Sequence, residues 1–427
     1  MINIIRTNCQ FHLCAHYGFA ERYSKYIDVN PETYRYPSEY SHLWALEPGT
    51  VYLNHGSFGA CTKFILEKQK EYRDMLEGQP MRFMVRQLEG MLNNAREKTA
   101  SFVNADPSGL VFVSNATAGV NTVFRSLRFE AGDEILFTNH IYFACRQLLE
   151  YIAEATGAVL VEAQYDIPIT SPGLITDALL SAVSKKTKIA IIDHITSATA
   201  LIQPVEEIVR ELEKRGVDTL VDGAHAPGSI PLDINNIGAA YYTANCHKWL
   251  CTPKSAAILH VRKDKQAGIL PLVVSHAGHK AEPFAERFFW PGTTDPSPIL
   301  CVPDSIEYMA TLMPGGWEAI MKRNHEVCMR ARDYFCRELG LTPSCPDEMN
   351  AGMCIMELPR MGEIDPPGYK DADAVQDRIY REYDLELPLW YWSQPPRRTT
   401  RLSAQLYNSD EQFRYAAGIL KKYYVRG

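Results

Sequence analysis

No excess of basic residues marks this chain. Its 427 residues carry 44 Lys and Arg against 51 Asp and Glu, a formal net charge of −7. A nucleic-acid surface needs clustered Lys and Arg, and the short runs Arg397-Arg398 and Lys421-Lys422 read as solvated surface. The 11 cysteines include no C-x-x-C pair, so no zinc knuckle is signalled. Their odd count, and their place in apolar runs, fit buried reduced thiols better than a disulfide framework. No run approaches the length of a membrane span. The N-terminus is broken by Arg6, Asn8, Gln10, His12 and His16 and makes a poor signal peptide. No G-x-G-x-x-G opens the first helix, which removes a dinucleotide reading. The expectation is a cytoplasmic protein without nucleic-acid or membrane partners.

What is present is ordinary globular material, 46% hydrophobic and 22% charged. A chain this long buries a sizeable core without staples. Residues 1–49 are rich in Tyr, Pro and charge, and read as an arm packed on something larger. Val51-Tyr52-Leu53 is a short apolar run, and residues 63–104 then show helical spacing. Further short runs follow at Leu110–Val113, Ile135–Phe137, Val159–Val161, Ile189–Ile192, Thr219–Val221 and Ala256–Val261. Helical patterns near 141–156, 174–184 and 204–215 alternate with them. Such alternation predicts an α/β fold whose mostly parallel sheet is covered on both faces. A Pro- and Gly-rich stretch, Trp290 to Pro298, ends this pattern. A helical region over about 304–340 precedes a small α+β unit. Its strands fall near 351–357, 385–389 and 400–405, and its last helix near 410–423. The expected division is the arm over 1–49, a large domain over 50–298 and a small C-terminal domain over 299–427.

In such sheets ligands bind beyond the carboxyl ends of the strands. The first run ends in Ser114-Asn115-Ala116-Thr117-Ala118-Gly119, small residues that let backbone N–H groups meet an anion. A plain helix cap reads the same way. Tyr142, after the second run, is placed either to lie on a planar ligand or to pack at the rim. Asp193-His194-Ile195-Thr196-Ser197 offers hydroxyls and an imidazole, or a helix cap. Asp222, directly after Thr219–Val221, is costly to bury unless a cation or donor meets it. Lys248 follows an apolar run between His247 and Trp249, where partial desolvation would lower its pKa. A lysine snorkelling past Trp249 is the plainer alternative. Together these form an anion cradle, a flat aromatic, a strand-end acid and a desolvated amine, in chain order on one alternating unit. Pyridoxal 5'-phosphate demands that set.

At these residues the chain resembles the class V aminotransferase family, within fold type I of the pyridoxal-phosphate enzymes. The resemblance covers roughly residues 50–425. It rests on Asp222-x-x-His225, Asn245-x-His247-Lys248, Gly292-Thr293 and Arg401-x-Ser403-x-x-x-Tyr407-Asn408. It implies that Lys248 is the Schiff-base lysine and Asp222 the partner of the ring nitrogen. Tyr142 would stack on the ring. His225 would contact the phenolic oxygen, and Ser197 stands where many relatives carry an Asn doing the same. Ala116, Thr117, Asn245 and His247 would bind the phosphate. Thr293 would reach the neighbouring subunit's phosphate, which implies a homodimer with shared active sites; the arm would pack on the small domain or on the dimer partner. Arg401 would clamp the substrate α-carboxylate with a bidentate pair.

Tyr52 to Gly59, Met81-Arg82-Phe83, Leu387 to Trp392 and Arg401 to Asn408 point to the isopenicillin N epimerase-like and carbon–sulfur lyase subgroup. That resemblance places Asn54, His55 and Arg82 near an amino-acid substrate. It implies chemistry at the substrate α-carbon, foremost epimerisation, with carbon–sulfur β-elimination or transamination as alternatives. Epimerisation asks for a second acid opposite Lys248, for which His55 and Tyr142 are the candidates. Residues 385–400 contain no Cys, which argues against persulfide transfer.

Overall fold

The computed structural model describes residues 37–276, 278–359, 373–392 and 397–424. Most of the expected arm, residues 1–36, lies outside them. Strand β1 (Val51–Tyr52) precedes a large sheet built from β2 (Leu110–Val113), β3 (Glu134–Thr138), β4 (Val159–Ala163), β5 (Thr187–Asp193), β6 (Asp218–Asp222), β7 (Tyr241–Asn245) and β8 (Ala257–Val261). Their spatial order is β2-β8-β7-β6-β5-β3-β4. All pairings are parallel except those of β8, which runs against both β2 and β7. The central strands are buried along nearly their whole length. Helices on both faces leave no wet side, which is why these runs are continuously apolar rather than alternating. The helical crossovers that parallel pairing requires are Phe143–Thr156, Gly173–Ser181 and Val205–Glu213.

The small C-terminal unit carries β9 (Met353–Glu357), β10 (Leu385–Glu386), β11 (Leu389–Trp392) and β12 (Arg397–Ser403). β12 is the middle strand of an antiparallel sheet ordered β11-β12-β9. Helix Asp410–Tyr424 packs on helix Gly316–Leu339 behind it. β10 pairs with β1 instead, so the start of the described chain is stitched into its far end. Helix Ser297–Ala310 lies against helices Lys63–Gly78 and Leu88–Phe102. Residues 37–49 pack beside them: Ser38 N–H bonds Tyr407 O at 3.2 Å, and Trp44 Nε1 bonds Ala60 O at 3.2 Å.

Three elements differ from expectation, each for a local reason. The helical stretch 63–104 breaks at Gln79, whose extended backbone (φ −161°) ends one helix while its side chain caps the next at Arg82 N–H. A π-helical turn, Phe83–Gln87, follows. The stretch 304–340 is two helices, because Gly315 and Gly316 both take positive φ (94° and 61°). The strand expected at 385–389 is split by Leu387-Pro388 into β10 and β11, which serve different sheets. Among the described residues, no helix is long and apolar enough to cross a membrane.

Candidate active site

The carboxyl ends of β2, β5, β6 and β7 converge on one place. Helix Ala116–Ser126 starts just after β2, capped by Asn115, whose side-chain oxygen accepts Ala118 N–H at 2.8 Å. The Ala116 N–H donates to Asn245 Oδ1 at 2.8 Å, tying this helix start to the end of β7. Asn245 keeps its NH₂ free of that bond. His247 places Nδ1 3.2 Å from Ala256 O, which leaves Nε2 for a ligand. With the half-buried Thr117, these donors and the helix N-terminus make an anion cradle.

Three residues past Asn245, Lys248 Nζ lies 3.0 Å from His225 Nε2. Burial, reinforced by the Arg401 charge, pushes the amine down to about 7. Burial holds His225 well below the usual imidazole range, so it meets the amine as a neutral ring. Asp222 ends β6 at 3% exposure, with Ala224 N–H on Oδ1 at 2.9 Å and Cys145 Sγ 3.5 Å from Oδ2. Burial raises its carboxyl above the ordinary value. Beside it on β5, Asp193 occupies the same register position and is likewise buried. Gly223 must be glycine: a Cβ there would lie 2.2 Å from the Tyr242 hydroxyl.

Arg401 on β12 is the small unit's contribution. It is 2% exposed, yet no carboxylate among the described residues pairs with it. Nη1 donates to Ser197 O and Nη2 to Ser57 Oγ at 3.0 Å. Its guanidinium sits 5.2 Å from the Trp390 ring centroid. Burial without a counter-charge pushes it down to about 10. Ser57 donates to Asn54 Oδ1, and Asn54 Nδ2 bonds Glu386 Oε1 at 3.2 Å. Asn54 is thereby linked to the guanidinium through Ser57. Tyr142 is half-exposed, with Asp222, Cys145 and Arg401 all within electrostatic reach.

Three further residues were expected at the site. His55 is fully buried: Nδ1 lies 2.9 Å from the Tyr407 hydroxyl and Nε2 3.0 Å from the Lys248 carbonyl. Both ring nitrogens lie within hydrogen-bond distance of protein groups. Arg82 and Thr293 are exposed. Asp193 carries the same sequence signal as Asp222, a carboxylate at the end of an apolar strand.

The arrangement fits pyridoxal phosphate. The cradle suits a phosphate, the buried strand-end carboxylate a cationic ring nitrogen, the neutral amine an aldehyde, and the unpaired Arg401 a carboxylate. Fold and site together define a pyridoxal-phosphate enzyme of fold type I. A family model described as Aminotransferase class-V matches residues 52–346. An isopenicillin N epimerase of Streptomyces clavuligerus is 33% identical over 383 residues, covering 86% of this chain and 93% of that protein. A probable chloroplastic L-cysteine desulfhydrase of Arabidopsis thaliana is 30% identical over 405 residues, 88% of this chain and 82% of its own. A solved cystine C–S lyase, in complex with its product cysteine persulfide, superposes with a TM-score of 0.72 at 20% identity, covering 87% and 97% of the two chains. The chain belongs to the class-V aminotransferase family.

Proposed function

We propose that this enzyme is a carbon–sulfur β-lyase acting on cysteine conjugates or their sulfoxides. The observation that carries this reading is the engagement of His55. With both its nitrogens held by Tyr407 and the Lys248 carbonyl, Lys248 is left as the amine that moves protons at the substrate. When bound, pyridoxal phosphate supplies an electron sink for charge released at the α-carbon. Lys248 is the residue that carries the cofactor; its Nζ, near 7 and steadied by neutral His225, takes the α-proton and returns one to the departing sulfur. Asp222 would hold the ring nitrogen protonated. Arg401 fixes the substrate carboxylate through two parallel N–H donors, and Trp390 covers the side of its guanidinium. Relatives named L-cysteine desulfhydrase support elimination.

The reading carries a homodimer with it. Thr293 is exposed and available to a neighbouring subunit's phosphate, and Phe58, Met81 and Val85 leave apolar surface uncovered. Purified holoenzyme given a panel of cysteine S-conjugates and sulfoxides should release pyruvate and ammonia. No pyruvate from any member would end the lyase reading. The epimerase relative favours a second reading, in which Tyr142 returns a proton on the far face. Incubation of L-amino acids in deuterated water, giving α-deuterated D-product without pyruvate, would select it.

A further inference from the structure

Asp193 and Asp222 are neighbours by construction. They are register partners at the ends of adjacent parallel strands, so both side chains leave the same face of the sheet. Adjacent strands lie about 4.8 Å apart, and the two residues are only 4% and 3% exposed. Their surroundings are nearly all neutral. Helix Phe143–Thr156 offers the Tyr142 backbone N–H to Asp193 and the Cys145 thiol to Asp222. Tyr165 after β4 and Tyr242 on β7 face the pair with phenols that burial holds well above their ordinary range. Tyr242 is itself held by His194 Nδ1 at 2.8 Å. Among the described residues, Lys248 is the cation that acts on both carboxyls. Asp193 Oδ2 is buried and has no hydrogen-bond partner. An unmet buried oxygen costs about 1–3 kcal/mol.

We propose that Asp193 is a positioning residue for the cofactor ring: it forms a proton-sharing carboxyl pair with Asp222, and the shared proton leaves when the cationic ring nitrogen settles against Asp222. Two carboxylates side by side in a dry site do not both ionise, so the pair carries one proton and one charge in the free protein. Burial and the Asp222 charge both push Asp193 well above the usual carboxylate range, consistent with that proton. Arrival of a cation lets the second carboxyl ionise. The proton goes to solvent, and no covalent bond is made or broken elsewhere. Asp193 thus acts through Asp222, and its role is the same whichever reaction the enzyme performs.

Calorimetric titration of apoenzyme with pyridoxal phosphate, repeated in buffers of different ionisation enthalpy, counts the protons released. Wild type should release roughly one proton more than Asp193→Asn, which keeps the shape but cannot ionise. Asp193→Asn apoenzyme should also melt a few degrees higher than wild type at alkaline pH, with the difference closing as pH falls. Equal proton counts and parallel melting curves would overturn the pair. Infrared spectroscopy of wild-type apoenzyme needs no variant. It should show a protonated-carboxyl C=O band that disappears on cofactor binding, and its absence from the apoenzyme would be equally decisive against the proposal.

Discussion

Arg401 is a buried cation with hydrogen bonds but no counter-charge, an arrangement that costs stability until an anion arrives. Two charge-assisted bonds to a substrate carboxylate contribute roughly 1.5–3 kcal/mol each. Arg401→Ala should therefore raise KM for amino-acid substrates about a hundredfold or more, while apoenzyme stability in urea holds or improves. Arg401→Lys should recover little, because a point charge cannot make the planar two-donor pairing. Steady-state kinetics beside urea melts separates these effects; an unchanged KM would remove Arg401 from the substrate site. Asp222 was legible by type and position, since a strand-end acid carries its own signal, whereas Arg401 entered only through the family resemblance. The enclosure of His55 was not legible. A histidine beside glycines reads as accessible, and only the return of Tyr407 from the far end of the chain shows that it is enclosed.

The turn after the short helix His55–Phe58 works as a wedge. Gly59 has φ 69°, and a Cβ on it would lie 2.1 Å from the His247 carbonyl and 2.8 Å from the Lys248 Cα. Those neighbours are backbone and cannot swing aside. Gly59→Ala should cost well over the roughly 1–3 kcal/mol of backbone strain alone and weaken cofactor retention, seen as loss of the bound cofactor's visible absorbance. Gly132→Ala is the control, with φ 92° and nothing within 4 Å of the added carbon; it should show only the strain. Equal destabilisation of the two would mean that the wedge exerts no pressure on the lysine segment. At this scale the sheet was readable because each strand is a compact apolar run bounded by turns. The breaks were harder. Gln79 ends a helix through its backbone angle, and β1 and β10 are two residues long, below any periodicity.

Across the molecule, burial lowers six histidines. His55 falls to about 3, His140, His194, His247 and His260 to about 4, and His225 well below its ordinary value. In the unfolded chain each titrates near about 6.5. Between those values the unfolded state binds protons that the native state refuses, so stability rises with pH through that window. Asp193 and Asp222, raised by burial, oppose this in the same range but are outnumbered. The urea midpoint of the apoenzyme should climb from about pH 4 to about pH 6.5 and then level. A midpoint that falls over that interval would contradict the neutral, buried state of these rings.

The support beneath Lys248 has a consequence for the order of events during synthesis. Its carbonyl rests on His55, and His55 on Tyr407, 352 residues further along the chain. A ribosome has delivered the whole large sheet, lysine included, once Val261 has emerged. The clamp on that lysine cannot close until β12 and the segment behind it have followed. A product cut short before Tyr407 would hold every strand of the large sheet and lack the tyrosine on which His55 rests.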